Sequence, residues 1–133
     1  MYTYPMVLLT AAEAIALSEG VTSEAVGYLA DVRSSAYWKS ALADMRTQLA
    51  GLTPENFVKE VWKERYRELV FQGTIWYDIQ RTRLFPVPVA GGDINFEPAI
   101  GHANGAGATI QVQNLLVPIS RDELQRNPSL TPN

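Results

Sequence analysis

The chain has 133 residues, which is enough for one domain with a hydrophobic core. Its net charge of −3 excludes a long-range attraction to nucleic acid, and no apolar run reaches the ~18 residues that a membrane-spanning helix needs. The chain contains no cysteine, which excludes disulfides, a thiol nucleophile and a thiolate metal site.

The first 35 residues predict a hairpin of two antiparallel helices. The first helix is predicted from about Pro5 to Ser18, with the proline near its first turn and Gly20 just past its end. Thr22 or the serine after it can cap a second helix that runs to about Ser35. Together the two helices have the shape of one repeat of a helical-hairpin solenoid.

The predicted first helix is apolar on nearly every side. Glu13 is its only charged residue, and a helix of this kind is normally buried on most sides. One neighbouring helix cannot cover all of its large apolar residues, which are Val7, Leu8, Leu9, Ile15 and Leu17. Either the fourth helix also packs against it, or another polypeptide does: the upstream part of the same protein or a second copy. The pattern favours a second polypeptide.

A weaker third helix is predicted from about Lys39 to Ala50. The fourth helix has the strongest start signal in the chain, the stretch LTPENF at residues 52–57. In this stretch Thr53 is the expected cap and Pro54 the first helical residue. The sequence therefore predicts a well-defined helix start after residue 52.

The fourth helix is predicted to run to about Gln72, where Gly73 is a natural stop. Residues at helical spacing form its predicted apolar stripe: Val58, Val61, Trp62, Tyr66, Leu69 and Val70. A short fifth helix is predicted from Ile75 to about Arg83.

From Pro86 to about Gln113 the chain is rich in glycine and proline, which predicts a long irregular loop. The only predicted strand is the short stretch TIQVQNLLVPI at residues 109–119. The tail after residue 119 is expected to form at most one helical turn and then an extended end. The fold class predicted from these elements is mainly α.

A run of charged residues lies on the fourth helix. Glu60, Glu64 and Glu68 recur every four residues and therefore lie along one side of it. Two of these acids could perform acid–base catalysis, and an enzyme built on Glu64 and Glu68 is one hypothesis. The basic residues Lys63 and Arg67 stand within one helical turn, and positive neighbours keep carboxylates ionised. The pattern therefore favours a structural ion network.

Other candidate sites are weaker. Tyr37 and Trp38 fall between predicted helices and are the surface aromatics that could stack on a sugar ring. His102 is the only histidine, no nucleophile motif accompanies it, and no Glu-x-x-His pair indicates a di-metal bundle site. The glycines near it do not follow the pattern of a phosphate-binding loop. No catalytic residue, metal ligand or cofactor is predicted.

Four stretches in this order resemble the C-terminal part of the SusD/RagB family of outer-membrane nutrient-binding lipoproteins. They are the helix YPMVLLTAAEA, the helix end AVGYLADVRSSAY, the block LTPENFVKEVWKERYRELVFQGTIWYDIQRTRL and the closing VPISRDELQRNPSLTPN. The family signature falls on Glu64, Arg65, Glu68, Gly73, Asp78 and Arg81. The chain is identified on these motifs as a member of that family, although Gln72 departs from the acid that usually precedes the glycine.

The resemblance implies a tetratricopeptide-like helical scaffold with long loops and an extended tail. It implies that residues 1–133 are the C-terminal portion of a single SusD-like domain, in which 1–50 form the first hairpin and a third helix, 51–85 the signature helix pair, and 86–133 the loop and tail. It implies a role for the signature residues in locking two helices at a turn, so Glu64, Arg65 or Glu68 is expected to pair with Asp78 or Arg81.

The resemblance also implies a function. Family members are non-enzymatic surface proteins that bind oligosaccharides and deliver them to a TonB-dependent, SusC-like porin, and they are attached to the outer membrane through a lipidated cysteine. This chain has no cysteine and is shorter than the family norm, so we expect it to be a scaffold fragment. The glycan and its binding residues are not implied. The alternative hypothesis is a helical-repeat adaptor that binds another protein.

Overall fold

The structure, a computed structural model, describes residues 3–36, 42–103, 106–116, 119–127 and 129–131. The chain consists of two compact units, Met1–Ile75 and Trp76–Asn133. The first unit is helical, and the second combines short helices with a β-hairpin. The predicted fold class, mainly α with helical hairpins, is confirmed. The predicted division of a single domain at residues 50 and 85 stays a prediction.

Four α-helices form the described part of the first unit: α1 (Tyr4–Ser18), α2 (Ser23–Ala36), α3 (Leu42–Ala50) and α4 (Pro54–Leu69). A 3-10 turn (Val70–Gln72) extends α4, and α5 (Ile75–Thr82) follows. These bounds agree with the predicted helices to within a few residues. The predicted start of the third helix at Lys39 lies outside the described residues.

The turn between α1 and α2 is built as the sequence predicts. Gly20 adopts φ +87°, a left-handed conformation that ends α1 without the steric cost of a side chain. The Thr22 hydroxyl accepts a hydrogen bond from the Ala25 N–H at 3.2 Å and so caps α2. The result is a tight antiparallel hairpin.

Two glycines of this hairpin should respond to alanine with opposite signs. A Cβ added at Gly20 or at Gly27 would meet nothing within 4 Å, so only the backbone conformation distinguishes the two sites. Gly20→Ala forces a side chain into the left-handed region and should lower the free energy of unfolding by about 1–2 kcal/mol. Gly27→Ala, inside α2, should raise it by about 0.5–1 kcal/mol. Urea denaturation of both variants tests this, and shifts of the same sign would contradict it.

The start of α4 follows its sequence signal. The Thr53 hydroxyl accepts a hydrogen bond from the Asn56 N–H at 3.4 Å, and Pro54 occupies the first turn, where its missing N–H costs nothing. Leu52 packs against the core to which Phe57 belongs. At the other end, Gly73 adopts φ +72° and stops the helix.

The core of the first unit lies where α1, α2 and α4 meet. The interior is lined by Leu8, Leu9, Ala12, Ala16, Val26, Leu29, Ala30, Leu49, Phe57, Val58 and Val61, all of them buried. Of the predicted α4 stripe, Val58, Val61 and Leu69 are buried, whereas Trp62, Tyr66 and Val70 are half-buried. The stripe therefore points inward as predicted, with its aromatic residues at the margin.

The all-round apolar helix α1 is covered on two sides. It packs against both α2 and α4, so the fourth helix does reach back, one of the two covers expected for it. A third side stays open: Tyr4 is 74% exposed, Val7 53% and Leu17 69%. Covering by α4 therefore accounts for part of the apolar surface of α1 and leaves the rest in solvent.

The prediction of an irregular loop from residue 86 is wrong for its first part, which is a β-hairpin. Strand β1 (Leu84–Pro88) pairs antiparallel with β2 (Ile94–Pro98). Gly91 and Gly92 turn the chain with φ +85° and +80°. The hydrogen bond from Val89 to Asp93 leaves a three-residue loop, residues 90–92, in which the two glycines adopt positive φ without the steric cost of a side chain.

The hairpin tolerates three prolines because of its register. Val89 N–H donates to the Asp93 carbonyl, and Ala99 N–H donates to the Arg83 carbonyl. In this register the odd-numbered residues of both strands point their backbone N–H and C=O groups at the partner strand. The even-numbered residues point their backbone groups away from the partner strand, and all three prolines are even-numbered: Pro86, Pro88 and Pro98. Prolines at these positions remove no ladder hydrogen bond.

The strand predicted at residues 109–119 is also wrong within the described residues. Thr109 makes one isolated bridge with Ala103, and Val112–Leu115 is a 3-10 helix. The Gln111 N–H donates to the Asn114 side-chain oxygen at 2.8 Å. Such a local side-chain hydrogen bond competes with strand pairing, which explains why a 3-10 helix forms here and not a strand. The tail forms α6 (Arg121–Arg126), whose six residues exceed the single helical turn expected there.

Candidate functional site

Arg33 at the end of α2 joins two acids of the signature helix. Its Nε donates to Glu64 Oε2 at 2.7 Å, and its Nη2 donates to Glu60 Oε2 at 2.7 Å and to the Glu60 carbonyl at 3.2 Å. The Arg33 side chain is 12% exposed and the Glu64 side chain 4%. The guanidinium group thus uses its fixed fork to tie α2 to α4 in a nearly dry setting.

Two further bases complete what we call the Arg33 cluster, formed by Arg33, Glu60, Lys63, Glu64 and Arg67. Lys63 Nζ lies 3.0 Å from Glu60 Oε1, and Arg67 Nη1 lies 3.5 Å from Glu64 Oε2. Three positive groups therefore face two carboxylates. This arrangement supports the prediction of a structural ion network on α4.

The hydrogen bonds of the cluster shift the pKa of Glu60. Burial by itself raises the pKa of the Glu60 carboxyl, but hydrogen bonds from Arg33 and Lys63 outweigh burial and lower it below its ordinary value of 4.5. For Arg33, burial opposes the charge, but the bonds to Glu64 and Glu60 raise the pKa of its guanidinium. Both groups are held in their charged forms.

The lowered pKa of Glu60 predicts a loss of stability in acid. A folded pKa below the unfolded one means that the carboxylate stabilises the fold above the unfolded pKa, and that this stabilisation is lost as the pH falls through the folded pKa. We expect the free energy of unfolding to fall as the pH drops below about 4.5, and to fall less steeply in Glu60→Gln. Urea denaturation between pH 7 and pH 3 measures both slopes. Equal slopes would contradict the assignment to Glu60.

Neighbouring side chains of α4 bind α1 as well. The buried Glu13 accepts a hydrogen bond from Trp62 Nε1 at 2.8 Å, and Arg65, also buried, donates from Nη1 to the Thr10 hydroxyl at 3.0 Å. Glu64 and Arg65 are consecutive in sequence but reach different helices, α2 and α1 respectively. The signature of α4 therefore holds three helices together.

This geometry does not suit acid–base catalysis. A general acid needs a carboxyl that is kept partly protonated, and a nucleophile needs a carboxylate that a substrate can reach. Glu64 is 3% exposed and pairs with Arg33 and Arg67. The dry, arginine-paired setting of Glu64 counts against an enzyme built on Glu64 and Glu68. Among the described residues, no three acidic or histidine side chains cluster as a metal site would require.

Two residues of the signature, Asp78 and Arg81, belong to the second unit. Asp78 and Arg81 pair with each other within α5, with Asp78 Oδ1 2.9 Å from the Arg81 guanidinium. The expected pairing of Glu64, Arg65 or Glu68 with Asp78 or Arg81 stays a prediction. In the structure Glu64 pairs with Arg33, which the sequence marks only as part of the family-like helix end AVGYLADVRSSAY and not as a partner of Glu64.

The structure describes some of the aromatic residues that could stack on a sugar, but not the two that the sequence favours. Tyr37 and Trp38 lie outside the described residues, so their role in stacking on a sugar stays a prediction. Trp62 is half-buried and bonded to Glu13, which makes it part of the scaffold. On α5, Trp76 is 40% exposed and Tyr77 66%. These two are the exposed aromatic pair that the described part of the second unit offers to a ligand.

A small cavity adjoins the β-hairpin. It has a volume of about 310 Å³ and is lined by Phe85, His102, Ala108, Thr109, Ile110 and Asn114. The rings of Phe85 and His102 stack with centroids 4.1 Å apart, and His102 Nδ1 lies 3.3 Å from Glu97 Oε2. The only histidine of the chain is thereby held between the two strands and the following loop.

The cavity has few polar groups to offer a sugar. The Thr109 hydroxyl accepts a hydrogen bond from Gln111 Nε2, and Asn114 Oδ1 accepts one from the Gln111 N–H. Recognition of a sugar requires several polar groups placed around its hydroxyls. The lining is mainly apolar, and Gln111 already occupies two of its polar atoms. A role in packing therefore fits this cavity better than a role in glycan recognition.

Comparison with known proteins shows which family and which relatives the chain resembles. The SusD family model matches residues 4–133. SusD-like protein P2 from Formosa agariphila is 32% identical over 130 residues, which are 98% of this chain and 24% of that protein. A SusD superfamily protein from Parabacteroides distasonis, solved by crystallography, is similar with a TM-score of 0.75 and 29% identity over 100% of this chain and 26% of that one.

The chain thus spans about a quarter of the length of these relatives. The family match covers the whole described fold, and the likeness to the solved structure extends over both compact units. Both the sequence resemblance and the helical architecture lead to the same assignment, and the chain belongs to the SusD family.

Proposed function

We propose that this chain is scaffold from a non-enzymatic cell-surface protein that binds oligosaccharides or other nutrients and delivers them to a TonB-dependent outer-membrane porin. The observation that carries the proposal is the match of residues 4–133 to the SusD family. Family membership supports nutrient binding in general terms. The delivery to a porin and the scaffold role are our extension of it.

The scaffold role is supported by how the signature residues are used. The charged side chains that connect α1, α2 and α4 are buried or nearly so. They are Arg33, Glu64 and Arg65. A carboxylate fixed in this way is removed from contact with a substrate. The most distinctive residues of the chain therefore serve its architecture, which supports a binding protein over an enzyme.

The binding surface itself is proposed to lie mainly outside residues 1–133. The chain spans about a quarter of its relatives, and the hairpin cavity is poorly suited to a sugar. Trp76 and Tyr77 are among the exposed described aromatics, and we propose that they contribute at the margin of such a surface. Tyr37 and Trp38 remain candidates by sequence.

The proposed location is the outer face of the outer membrane. None of the described helices is both long and apolar enough to cross a lipid bilayer. Attachment through a lipid anchor on another part of the protein is the mode that the family resemblance implies. The net charge of −3 gives no reason to include nucleic acid among the partners.

The full-length protein that contains this chain provides the test. Affinity electrophoresis through gels that each contain one polysaccharide, neutral or acidic, should show retardation by at least one of them. Detergent solubilisation of outer membranes and affinity capture should recover a TonB-dependent porin. Capture without any porin, together with unretarded migration in every gel, would overturn the proposal.

The same protein tests the absence of catalysis. Incubation with the retarding polysaccharide should release no reducing ends, and Glu64→Gln should change nothing in that assay. Reducing ends that appear with the unmodified protein and vanish with Glu64→Gln would revive the enzyme hypothesis.

A helical-repeat adaptor remains the second candidate because of one observation, the exposed apolar side of α1. An adaptor would capture a protein other than a porin through this surface. The same affinity capture separates the two functions, since only the adaptor predicts a partner that is lost when Leu17 is replaced by lysine.

A further inference from the structure

A groove lies between α2 and α3 in the first unit, and we call it the α2–α3 groove. Three residues of each helix line it: Ser23, Val26, Gly27, Arg46, Thr47 and Ala50. Its volume is about 390 Å³. Pockets that bind small molecules in proteins typically have volumes of about 300–1,000 Å³, so the groove is large enough for a small ligand.

Gly27 keeps this groove open, although glycine is a poor residue for the interior of a helix. The backbone of Gly27 is helical, so no left-handed conformation requires a glycine there. A Cβ added to it would meet nothing within 4 Å, so no neighbour in the described chain requires the missing side chain either. The space beside Gly27 is therefore open to a molecule from outside the described residues.

The groove combines an apolar floor with polar groups at its rim. Val26 is buried and Gly27 half-buried, and these two form the floor. Ser23 and Arg46 are exposed at the rim. The Arg46 guanidinium carries five N–H groups, and it donates from Nη2 to Asp31 Oδ1 at 3.0 Å. The rim therefore offers a carboxylate acceptor and several donors side by side.

The charges at the rim favour an uncharged ligand. Asp31 Oδ1 lies 3.0 Å from the Arg46 guanidinium, so the positive charge is already balanced. A carboxylate or sulfate group of a ligand would have to approach the Asp31 carboxylate, and like charges at short distance repel. A sugar hydroxyl both donates and accepts, so it can bond to either member of the pair. The C–H face of a sugar ring suits the apolar floor.

We propose that the α2–α3 groove binds one uncharged sugar ring of an oligosaccharide. This inference rests on the proposed function, and it names a contact site and a ligand class for it. Most of the proposed binding surface lies outside residues 1–133, so the groove supplies one contact among several. An apolar helix is the less suitable occupant, because it would bury the Arg46–Asp31 pair at a cost of desolvation.

Gly27→Leu in the full-length protein tests the groove, because the new side chain enters it at a point where no neighbour is displaced. Leucine is a better helix former than glycine, so the melting temperature should not fall. In affinity electrophoresis through gels of uncharged polysaccharides, the Kd for the most strongly retarding one should rise about tenfold or more. Arg46→Ala should raise the same Kd about tenfold, since a hydrogen bond from a charged group is lost.

Gln48→Leu is the matched control. Gln48 is exposed on α3 and does not line the groove, so this variant should change neither the Kd nor the melting temperature. Retardation of Gly27→Leu equal to that of the unmodified protein would overturn the proposal, as would retardation by acidic polysaccharides alone. Both of these results leave the proposed function standing.

A melting temperature that falls in Gly27→Leu would also overturn the proposal, because another part of the protein would then already fill the groove. Unretarded migration of the unmodified protein in every gel is a different result. It would overturn the proposed nutrient binding, and this inference with it.

Discussion

Arg33→Ala is expected to lower the free energy of unfolding by about 3–5 kcal/mol. The substitution leaves Glu64, whose side chain is 4% exposed, without the guanidinium that lies 2.7 Å from its Oε2, and it removes the bond to Glu60 as well. The buried carboxylate then keeps only the longer contact with Arg67 at 3.5 Å, which offsets less of its cost of desolvation. Chemical denaturation at pH 7 measures the loss.

A matched control is an arginine of α3 that pairs with the same helix, α2. Asp31 of α2 pairs with Arg46 at 3.0 Å, but the two side chains are 53% and 48% exposed. Solvent screens such a pair, so Arg46→Ala should cost no more than about 1 kcal/mol. If both arginine variants lost the same small amount, the Arg33 cluster would not be the structural tie that we describe.

A double variant separates the net contribution of the Arg33–Glu64 pair to the free energy of unfolding from the loss that follows when only one partner is removed. Arg33→Met with Glu64→Leu removes both charges and refills the volume with apolar atoms. Replacing a buried ion pair in this way is often neutral, so the double variant should be more stable than Arg33→Met alone. A double variant as unstable as the sum of the two single ones would contradict a direct coupling of these side chains.

The helices were predictable because their signals are local. Thr53 and Pro54 mark the start of α4 within two residues, and Gly20 marks the end of α1 through a conformation that few other residues adopt. Caps and stops act over one helical turn, so they are readable without knowing the rest of the fold. The resemblance to the SusD family was readable for a related reason, because its motifs include these same helix ends.

The β-hairpin has a turn signal in the sequence that the prolines around it obscure. Gly91-Gly92 is a strong turn pair, and it stands between two short runs that contain β-branched and aromatic residues. The prolines on both sides argued against strands. Only the register reveals that all three of them avoid the ladder, and register is set by the pairing and not by either strand alone.

The partner of Glu64 was not predictable from spacing. Arg33 lies 31 residues away in sequence, and it reaches Glu64 only because α2 and α4 pack side by side. The sequence offered nearer bases, among them Arg67, which does contact Glu64 at 3.5 Å, and Arg81, which pairs with Asp78. Local charge patterns predict a structural network, whereas the partner that contacts Glu64 at 2.7 Å depends on tertiary packing.

Leu9→Ala is expected to cost about 2–5 kcal/mol of the free energy of unfolding. Leu9 is fully buried on α1, in the core shared with α2 and α4. Alanine removes its apolar contacts and leaves a cavity that the three helices can close only in part. A loss of this size is a large fraction of the ~5–15 kcal/mol that stabilises a typical domain.

Leu17→Ala on the same helix is the control, because it makes the same chemical change at a side chain that is 69% exposed. Its effect on the isolated chain should stay within about 0.5 kcal/mol, as for most surface substitutions. Urea denaturation of both variants gives the difference directly. Equal costs would mean that Leu17 is already covered in the isolated chain, which would contradict its 69% exposure. A small cost for Leu9 would contradict the packing of α1 between α2 and α4.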